Sequence, residues 1–272
     1  MMKLAEVLPP AGALPFVELL PRHDILARSD RIEVRLAADD SEIDAALALR
    51  HRVFAIELGA ALPGRDGRDR DVFDRHCRHL IALDRDTCCI VGTYRALLPA
   101  QARRLGFLYA DREFVLSWLN PLRDDLVEVG RACIEPGYRN GIVLMLLWRG
   151  IRALVERHGH RYLLGCCSLP ADDGGVAAAR LYRQLAACHL APPQLRVWPR
   201  HRLPVATRDA ASASATPEVA PLPPLLRGYL SAGARILGEP HLDMQFRCAD
   251  LPILLDLRAL SLRLQARFGR DS

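Results

Sequence analysis

Lysine is nearly missing from this chain: Lys3 is the only one among 37 Lys and Arg residues, so 36 are arginine. Arginine makes forked, bidentate contacts to carboxylates and phosphates that lysine does not make, although genome base composition accounts for such a bias equally well. A formal net charge of only +5 excludes a dedicated nucleic-acid polycation. Long hydrophobic runs are absent too. The longest strongly apolar stretch, Ile142 to Trp148, stops at Arg149 and is too short to span a bilayer. The first residues carry one early cation, then Glu6, Pro9 and Pro10, so the apolar core of a signal peptide is missing. The eight cysteines include two adjacent pairs but no C-x-x-C, which excludes a disulfide framework and implies reduced thiols in the cytoplasm. His76-Cys77-Arg78-His79 has no spaced partner motif, so no zinc site and no other metal is expected.

What is present is a core. Half of the 272 residues are hydrophobic and 25% are charged, which excludes disorder, collagen and coiled coil. Residues 1–30, punctuated by four prolines, read as a loosely held arm. Residues 31–203 carry mixed helical and strand patterns. Arg31 to Leu36 alternates strictly, as a half-buried strand does. Ser41 with Asp44 reads as a capping box opening a helix that aligns Ile43, Leu47 and Phe54. Further strands are expected at His79–Leu83, Cys88–Arg95, Leu126–Ile134 and Tyr162–Cys167. Helices are expected from Ile142 and over Val176–Ala187, the first apolar nearly all round for two turns and so buried between layers. Residues 204–223, rich in Ala, Ser, Thr and Pro, read as a linker. Residues 224–272 read as an extension packed on the main domain, ending in a helix over Leu257–Phe268. The elements do not alternate strictly, so a mixed, mostly antiparallel α/β sheet flanked by helices is expected.

Three clusters carry candidate chemistry. Arg50-x-x-x-Phe54 is followed by Asp69-x-Asp71-x-x-Asp74, whose carboxylates repel one another unless a cation lies among them. Arg95 ends one strand, and Glu128-x-x-Arg131 lies in another. Strand alternation separates Glu128 from Arg131, whereas a bulge at Gly130 would bring both to one cleft.

In order, these residues resemble the acyl-transferring branch of the GCN5-related N-acetyltransferase superfamily, including acyl-homoserine lactone synthases. A narrower resemblance is to the L-ornithine N-acyltransferases of bacterial ornithine-lipid synthesis. It rests on Val91-Gly92-Thr93-Tyr94-Arg95, on Glu128-x-Gly130-Arg131-x-Cys133-Ile134-x-Pro136-x-Tyr138-Arg139, and on Leu146-Leu147-Trp148-x-Gly150-Ile151. The tail adds Leu222-Pro223-Pro224 to Gly228-Tyr229-Leu230, then Asp243, Phe246, Asp250 and Leu254-Leu255-Asp256. The lactone synthases lack that tail, and Ala60 stands where they carry a tryptophan.

The resemblance implies transfer of a 3-hydroxyacyl chain from acyl-carrier protein to the α-amine of L-ornithine. No bound cofactor is needed, because the thioester of the carrier protein is a co-substrate. Glu128, Arg131 and Arg95 are the expected catalytic residues, with Glu128 as base. Arg50, Phe54, Asp69, Asp71 and Asp74 are expected to bind the acceptor. Asp71 and Asp74 would hold its ammonium groups, and Arg95 or Arg131 its carboxylate. Cys133, Arg139, Asn140 and Gly141 are expected on the donor side. Cys133 is also the alternative nucleophile, although a cysteine in an apolar strand is more often core. Bulky residues replace the glycines with which the superfamily cradles a pyrophosphate, which favours a carrier protein over coenzyme A. Arg149, Arg152, Arg157, Arg196, Arg200 and Arg202 are candidate docking cations. No nucleic-acid partner is expected, and product release implies peripheral contact with the inner membrane. Two other readings are an acyl-homoserine lactone synthase and a hemolysin-like membrane-active protein.

Overall fold

In the computed structural model, residues 24–62, 66–203 and 222–260 are described. In chain order the first half forms β1 (Ile25–Arg28), β2 (Ile32–Leu36), α1 (Asp40–His51), β3 (Arg78–Asp84), β4 (Cys89–Leu97), α2 (Pro99–Leu105) and β5 (Phe114–Val115). Then come β6 (Leu126–Ile134), α3 (Ile142–Arg157), β7 (Tyr162–Pro170), α4 (Val176–His189) and β8 (Trp198–Pro199). The tail supplies α5 (Pro224–Ser231), β9 (Arg235–Ile236), β10 (His241–Asp243) and β11 (Cys248–Asp256). Among the described residues the main sheet runs β1-β2-β3-β4-β6-β7-β11-β10, with β9 also on β11. Every pairing in it is antiparallel except β6 with β7. The result is the mixed, mostly antiparallel α/β sheet flanked by helices that the element pattern implies.

Several local expectations need correction. The expected N-terminal arm already contains β1 at its end, because Ile25–Arg28 pairs antiparallel with β2. Asp39, rather than Ser41, caps α1: its Oδ1 accepts the amides of Ser41 and Glu42 at 3.0 Å each. The inward side of α1 buries Ala46, Leu47, Leu49 and also Arg50. Phe54 falls in a π-helical turn, Arg52–Glu57, that follows α1. At the far end, Leu257–Ala259 is a single 3-10 turn, and residues 261–268 of the expected terminal helix lie outside the described residues. The expected linker, apart from its last two positions, lies outside them too.

The helix α3 packs on one sheet face through Val143, Leu146, Leu147, Gly150, Ile151, Leu154 and Val155, a single stripe at helical spacing. It is not buried all round, since Ile142 is exposed and Leu144 and Met145 are half-buried. Close approach depends on two glycines. A Cβ on Gly92 would meet Val143 at 2.8 Å, and one on Gly150 would meet Val34 at 2.7 Å. The tail does more than pack on this domain. β11 pairs with β7 over nine residues, Cys248–Asp256 against Tyr162–Pro170. Pro252 sits mid-strand in β11, where a missing N–H would ordinarily break a ladder. Its carbonyl accepts from the Leu237 amide at 2.9 Å. Its ring nitrogen therefore faces the same side, in the interval between the β10 and β9 pairings, where no ladder bond is needed. On the same sheet face as α3, α5 is seated on Trp148, whose ring stacks on Tyr229 with centroids 4.8 Å apart.

The opposite face is covered by α1 and by the segments that carry Phe73 and residues 105–125. Phe73, Leu97, Leu108, Phe114, Leu119, Leu126, Leu164 and Leu254 form a second core there. Arg95 and Glu128 also lie on this side.

Candidate active site

The parallel pair β6 and β7 opens the sheet. Both strands are nine residues long, yet they pair only at Leu126 with Tyr162, Val127 with Leu163 and Glu128 with Leu164. Beyond Glu128 each strand follows its other neighbour and the two part. Gly165 stands at the fork, where a Cβ would come within 3.0 Å of the Val129 carbonyl. A cavity of about 90 Å³ lies at the opening, lined by residues from both strands and by Phe73, Tyr109, Glu113, Asp243 and Phe246. The bulge in β6 falls after Gly130: Arg95 pairs with Gly130 but Thr93 pairs with Cys133, and Arg131 takes a φ of +55°. That left-handed backbone costs a non-glycine residue on the order of 1 kcal/mol or more. Its effect is to bring Arg131 to the same cavity as Glu128.

Glu128 is 7% exposed. Its Oε2 accepts the Tyr109 amide at 2.6 Å and its Oε1 the Ala110 amide at 2.7 Å. Burial pushes the carboxyl up to about 7, against the lowering effect of those two amides and of Arg95. A carboxyl that titrates near neutral pH at the mouth of a sheet opening is suited to proton transfer.

The acidic loop is held by the protein's own cations. Asp69, Asp71 and Asp74 are bound by Arg50, Arg95 and Arg131 rather than facing an acceptor's ammonium groups. Arg50, only 1% exposed, donates to Asp69 at 2.7 Å and to Asp74 at 2.6 Å. Arg95 donates to Asp71 at 2.7 Å and Asp74 at 2.9 Å. Arg131 donates to Asp71 at 3.3 Å and pairs with Asp69 at 3.2 Å. Three guanidiniums thus neutralise three carboxylates. Asp74 would be raised by burial, but Arg50 and Arg95 hold it well below the ordinary carboxylate range. Arg131 keeps a face on the cavity, its guanidinium 4.4 Å from the Phe246 ring centre and 4.9 Å from that of Tyr109. Phe54 joins this edge by a T-shaped contact with Phe246 at 5.8 Å.

The donor-side residues are dispersed. Cys133 packs with Leu49 and Val53, and burial raises its thiol to about 12, so that it rests as a neutral thiol in the core. Cys77 at the cavity is likewise raised to about 12 by burial, and Cys166 is raised well above its ordinary value. Arg139 is held by Glu57 at 2.5 and 2.7 Å, and Asn140 Oδ1 accepts the Ile142 amide at 3.1 Å. Gly141 caps α3 with φ +93°. These three residues lie around the start of α3 and do not line the cavity at Glu128.

The sequence reading assigned no role to the cavity's remaining acids. Glu113, Asp243 and Asp250 are buried and line it together. Burial, then Asp250 and Asp243, drives Glu113 well above the ordinary carboxyl range. Burial, and then Asp243, raises Asp250 to about 6, although Ser168 donates to it. Asp243 and Asp250 stood in the tail motif as a signal, but Glu113 had none. A second, apolar cavity lies on the α3 side of the sheet, lined by Tyr94, Trp148, Ile151, Leu163, Tyr229, Ala232 and Leu255. Val129 borders both cavities.

Residues 49–149 match the model of an acetyltransferase (GNAT) domain. Over 93% of its length the chain is 34% identical to an L-ornithine N(alpha)-acyltransferase of Rhizobium meliloti (strain 1021), covering 89% of that protein. The chain belongs to the L-ornithine N(alpha)-acyltransferase family. An L-ornithine N(alpha)-acyltransferase of Rhodobacter capsulatus is 33% identical over 84% of the chain and 91% of its own length. The protein is therefore an acyltransferase. Its fold matches that of a CoA-dependent acyl-homoserine lactone synthase solved with SAM and isopentyl-CoA. That likeness has a TM-score of 0.51 at 16% identity, over 86% of this chain and 85% of the other. The cavity at Glu128 and the apolar one on the other face of the sheet share Val129 in their walls. No helix among the described residues is long and apolar enough to cross a membrane.

Proposed function

We propose that this acyltransferase moves a 3-hydroxyacyl chain from acyl-carrier protein to the α-amine of L-ornithine, forming lyso-ornithine lipid. The observation that carries the reading is Glu128, a buried carboxyl near neutrality that lines a polar cavity where β6 and β7 part. The names of the relatives supply ornithine as the acceptor. The α-ammonium gives a proton to Glu128, directly or through one water, and the freed amine attacks the thioester carbonyl. The N–C bond forms and leaves a cationic nitrogen in the tetrahedral adduct; as the C–S bond breaks, the proton that this nitrogen sheds goes to the departing thiolate, and Glu128 returns the first proton to water. Backbone N–H groups on the β6 edge beyond Glu128 meet the oxyanion. Arg131, held between Tyr109 and Phe246, takes the acceptor's carboxylate. Arg95, held by Asp71 and Asp74, keeps the charge balance around Glu128.

The acyl chain lies on the other side of the sheet, in the apolar cavity under Trp148 and Tyr229. The carrier protein's single phosphate suits the start of α3, where Gly141, Asn140 and Arg139 leave no glycine-rich wrap for a pyrophosphate. Product release at the inner membrane then follows from the amphiphilic character of the product. The test is a reconstituted assay with 3-hydroxyacyl-carrier protein or the matching coenzyme A thioester as donor and L-ornithine as acceptor. Mass spectrometry should find lyso-ornithine lipid, with kcat/KM higher for the carrier protein. No N-acylornithine from either donor contradicts the reading, and equal use of both donors contradicts its donor half.

A further inference from the structure

Glu113, Asp243 and Asp250 come from three separate segments and meet on one wall of the cavity that holds Glu128 and Arg131. Their contacts are few. Asp243 Oδ1 accepts the amides of Gln245 at 2.7 Å and Phe246 at 3.0 Å. Asp250 accepts from Ser168 Oγ at 2.6 Å and lies 3.6 Å from the Cys248 sulfur. The carboxyl of Glu113, a residue 4% exposed, has the Cys166 thiol at 3.4 Å as its one hydrogen-bond partner among the described residues. A thiol is a weak donor, and a buried carboxylate without a strong partner is costly. Among the described residues no arginine or histidine forms an ion pair with the three carboxyls, in contrast to Asp69, Asp71 and Asp74, although Arg131 is near enough to act on Asp250 and His241 bonds the Glu113 backbone. The nearby His241 accepts the His201 amide at Nδ1.

A second observation concerns shape. The cavity carries a guanidinium, Arg131, as well as the unneutralised acids. Its 90 Å³ hold roughly six to nine waters at about 10–15 Å³ each. Ornithine has about nine non-hydrogen atoms, with an anionic end and a distal cation, and so fits this volume and this charge pattern.

We propose that Glu113, Asp243 and Asp250 form the subsite that receives the distal ammonium of a diamino-acid acceptor and so select ornithine over neutral amino acids. This rests on the reading of the chain as an ornithine acyltransferase. Asp243 also shapes the turn at Gln245–Phe246, so Glu113→Gln and Asp250→Asn are the cleaner substitutions. L-Norvaline has the carbon skeleton of ornithine without the distal amine and is the discriminating acceptor.

With one donor, the wild-type protein should prefer ornithine to norvaline by about a hundredfold or more in kcat/KM, the scale at which a site with unmet charges rejects an analogue lacking the partner. Each substitution should cut that ratio by about tenfold or more through a higher KM for ornithine, as loss of one charge-assisted hydrogen bond does. Comparable kcat/KM for the two acceptors in the wild-type protein overturns the subsite without any variant, so a variant that fails to fold leaves the test intact. A ratio that survives in the folded variants overturns it too. So does a stoichiometric divalent metal in the purified protein whose removal by chelator abolishes turnover, since the acids would then hold that ion. In each of these cases ornithine is still acylated by the intact protein. Acylation of neither amino acid overturns the ornithine reading and takes the subsite with it.

Discussion

Glu128 and Arg131 face one cavity from positions three apart on the same strand, which strict alternation would place on opposite faces of the sheet. The bulge after Gly130, with Arg131 at φ +55°, makes this possible. It puts the Glu128 carboxyl and the Arg131 guanidinium on one cavity where β6 leaves β7. Arg131→Lys keeps the charge but loses the fork. It should raise the KM for ornithine by about tenfold or more while altering donor KM little, as expected for one bidentate contact. Steady-state kinetics with each substrate varied in turn measure the split, and equal effects on both substrates would count against the assignment.

The three-arginine, three-aspartate network should behave as structure rather than as an acceptor clamp. Asp74→Asn removes the anion shared by Arg50 and Arg95. Stripping one partner from a buried pair costs on the order of 3–5 kcal/mol, so the midpoint of thermal unfolding should drop by many degrees. The pH dependence carries a sign. Asp74 sits below its unfolded value, so its contribution is present above about pH 4 and is lost as pH falls further. Glu128 is raised to about 7, so its contribution is present below about pH 4.5 and is lost as pH rises through 7. Unfolding midpoints across pH should therefore fall on both sides, and Glu128→Gln should flatten the alkaline side. A large ornithine KM effect in Asp74→Asn without loss of stability would restore these aspartates to the acceptor.

Much of this architecture was legible in the residues. β6 begins at Leu126 and ends at Ile134 as expected, and α3 starts at Ile142 as expected. The tail was not legible, for a physical reason. β11 is buried on both faces, so its apolar run lacks alternation, and Pro252 argues against a central strand. The site divided in the same way. The motif around Glu128 and Arg131 marked one wall, because both residues lie on one strand. Glu113 lies far in sequence from Asp243 and Asp250, and the fold brings them together by pairing β11 with β7, whose Cys166 meets Glu113. In the acidic loop, spacing shows that three carboxylates are close, but not that Arg50, Arg95 and Arg131 are the cations that reach them.

The tail should be essential, and for a stated reason. A chain ending at Thr216 loses β11, and with it the antiparallel partner of β7 along nine residues. It should be insoluble or inactive. A finer probe is Gly228→Ala, whose Cβ would fall 2.0 Å from the Trp148 ring. Overpacking of this kind costs about 1–3 kcal/mol. Ala232→Leu, which fills the apolar cavity itself, should shift preference toward shorter acyl donors. An unchanged chain-length profile in a folded Ala232→Leu protein would move the acyl chain elsewhere.

The role of Glu128 as base is the central claim, and the pH dependence of kcat/KM tests it most directly. The intact protein should lose activity on the acid side with an apparent value near 7, where burial sets the carboxyl. Glu128→Gln preserves the shape, although its amide meets the N–H of Tyr109 or Ala110 and forfeits one of those bonds. At pH 7 its turnover should be lower by about two to four orders of magnitude, the usual scale for loss of a positioned base, and the acid limb near 7 should vanish. A folded Glu128→Gln protein with near-normal turnover at pH 7 and the same acid limb would contradict the account.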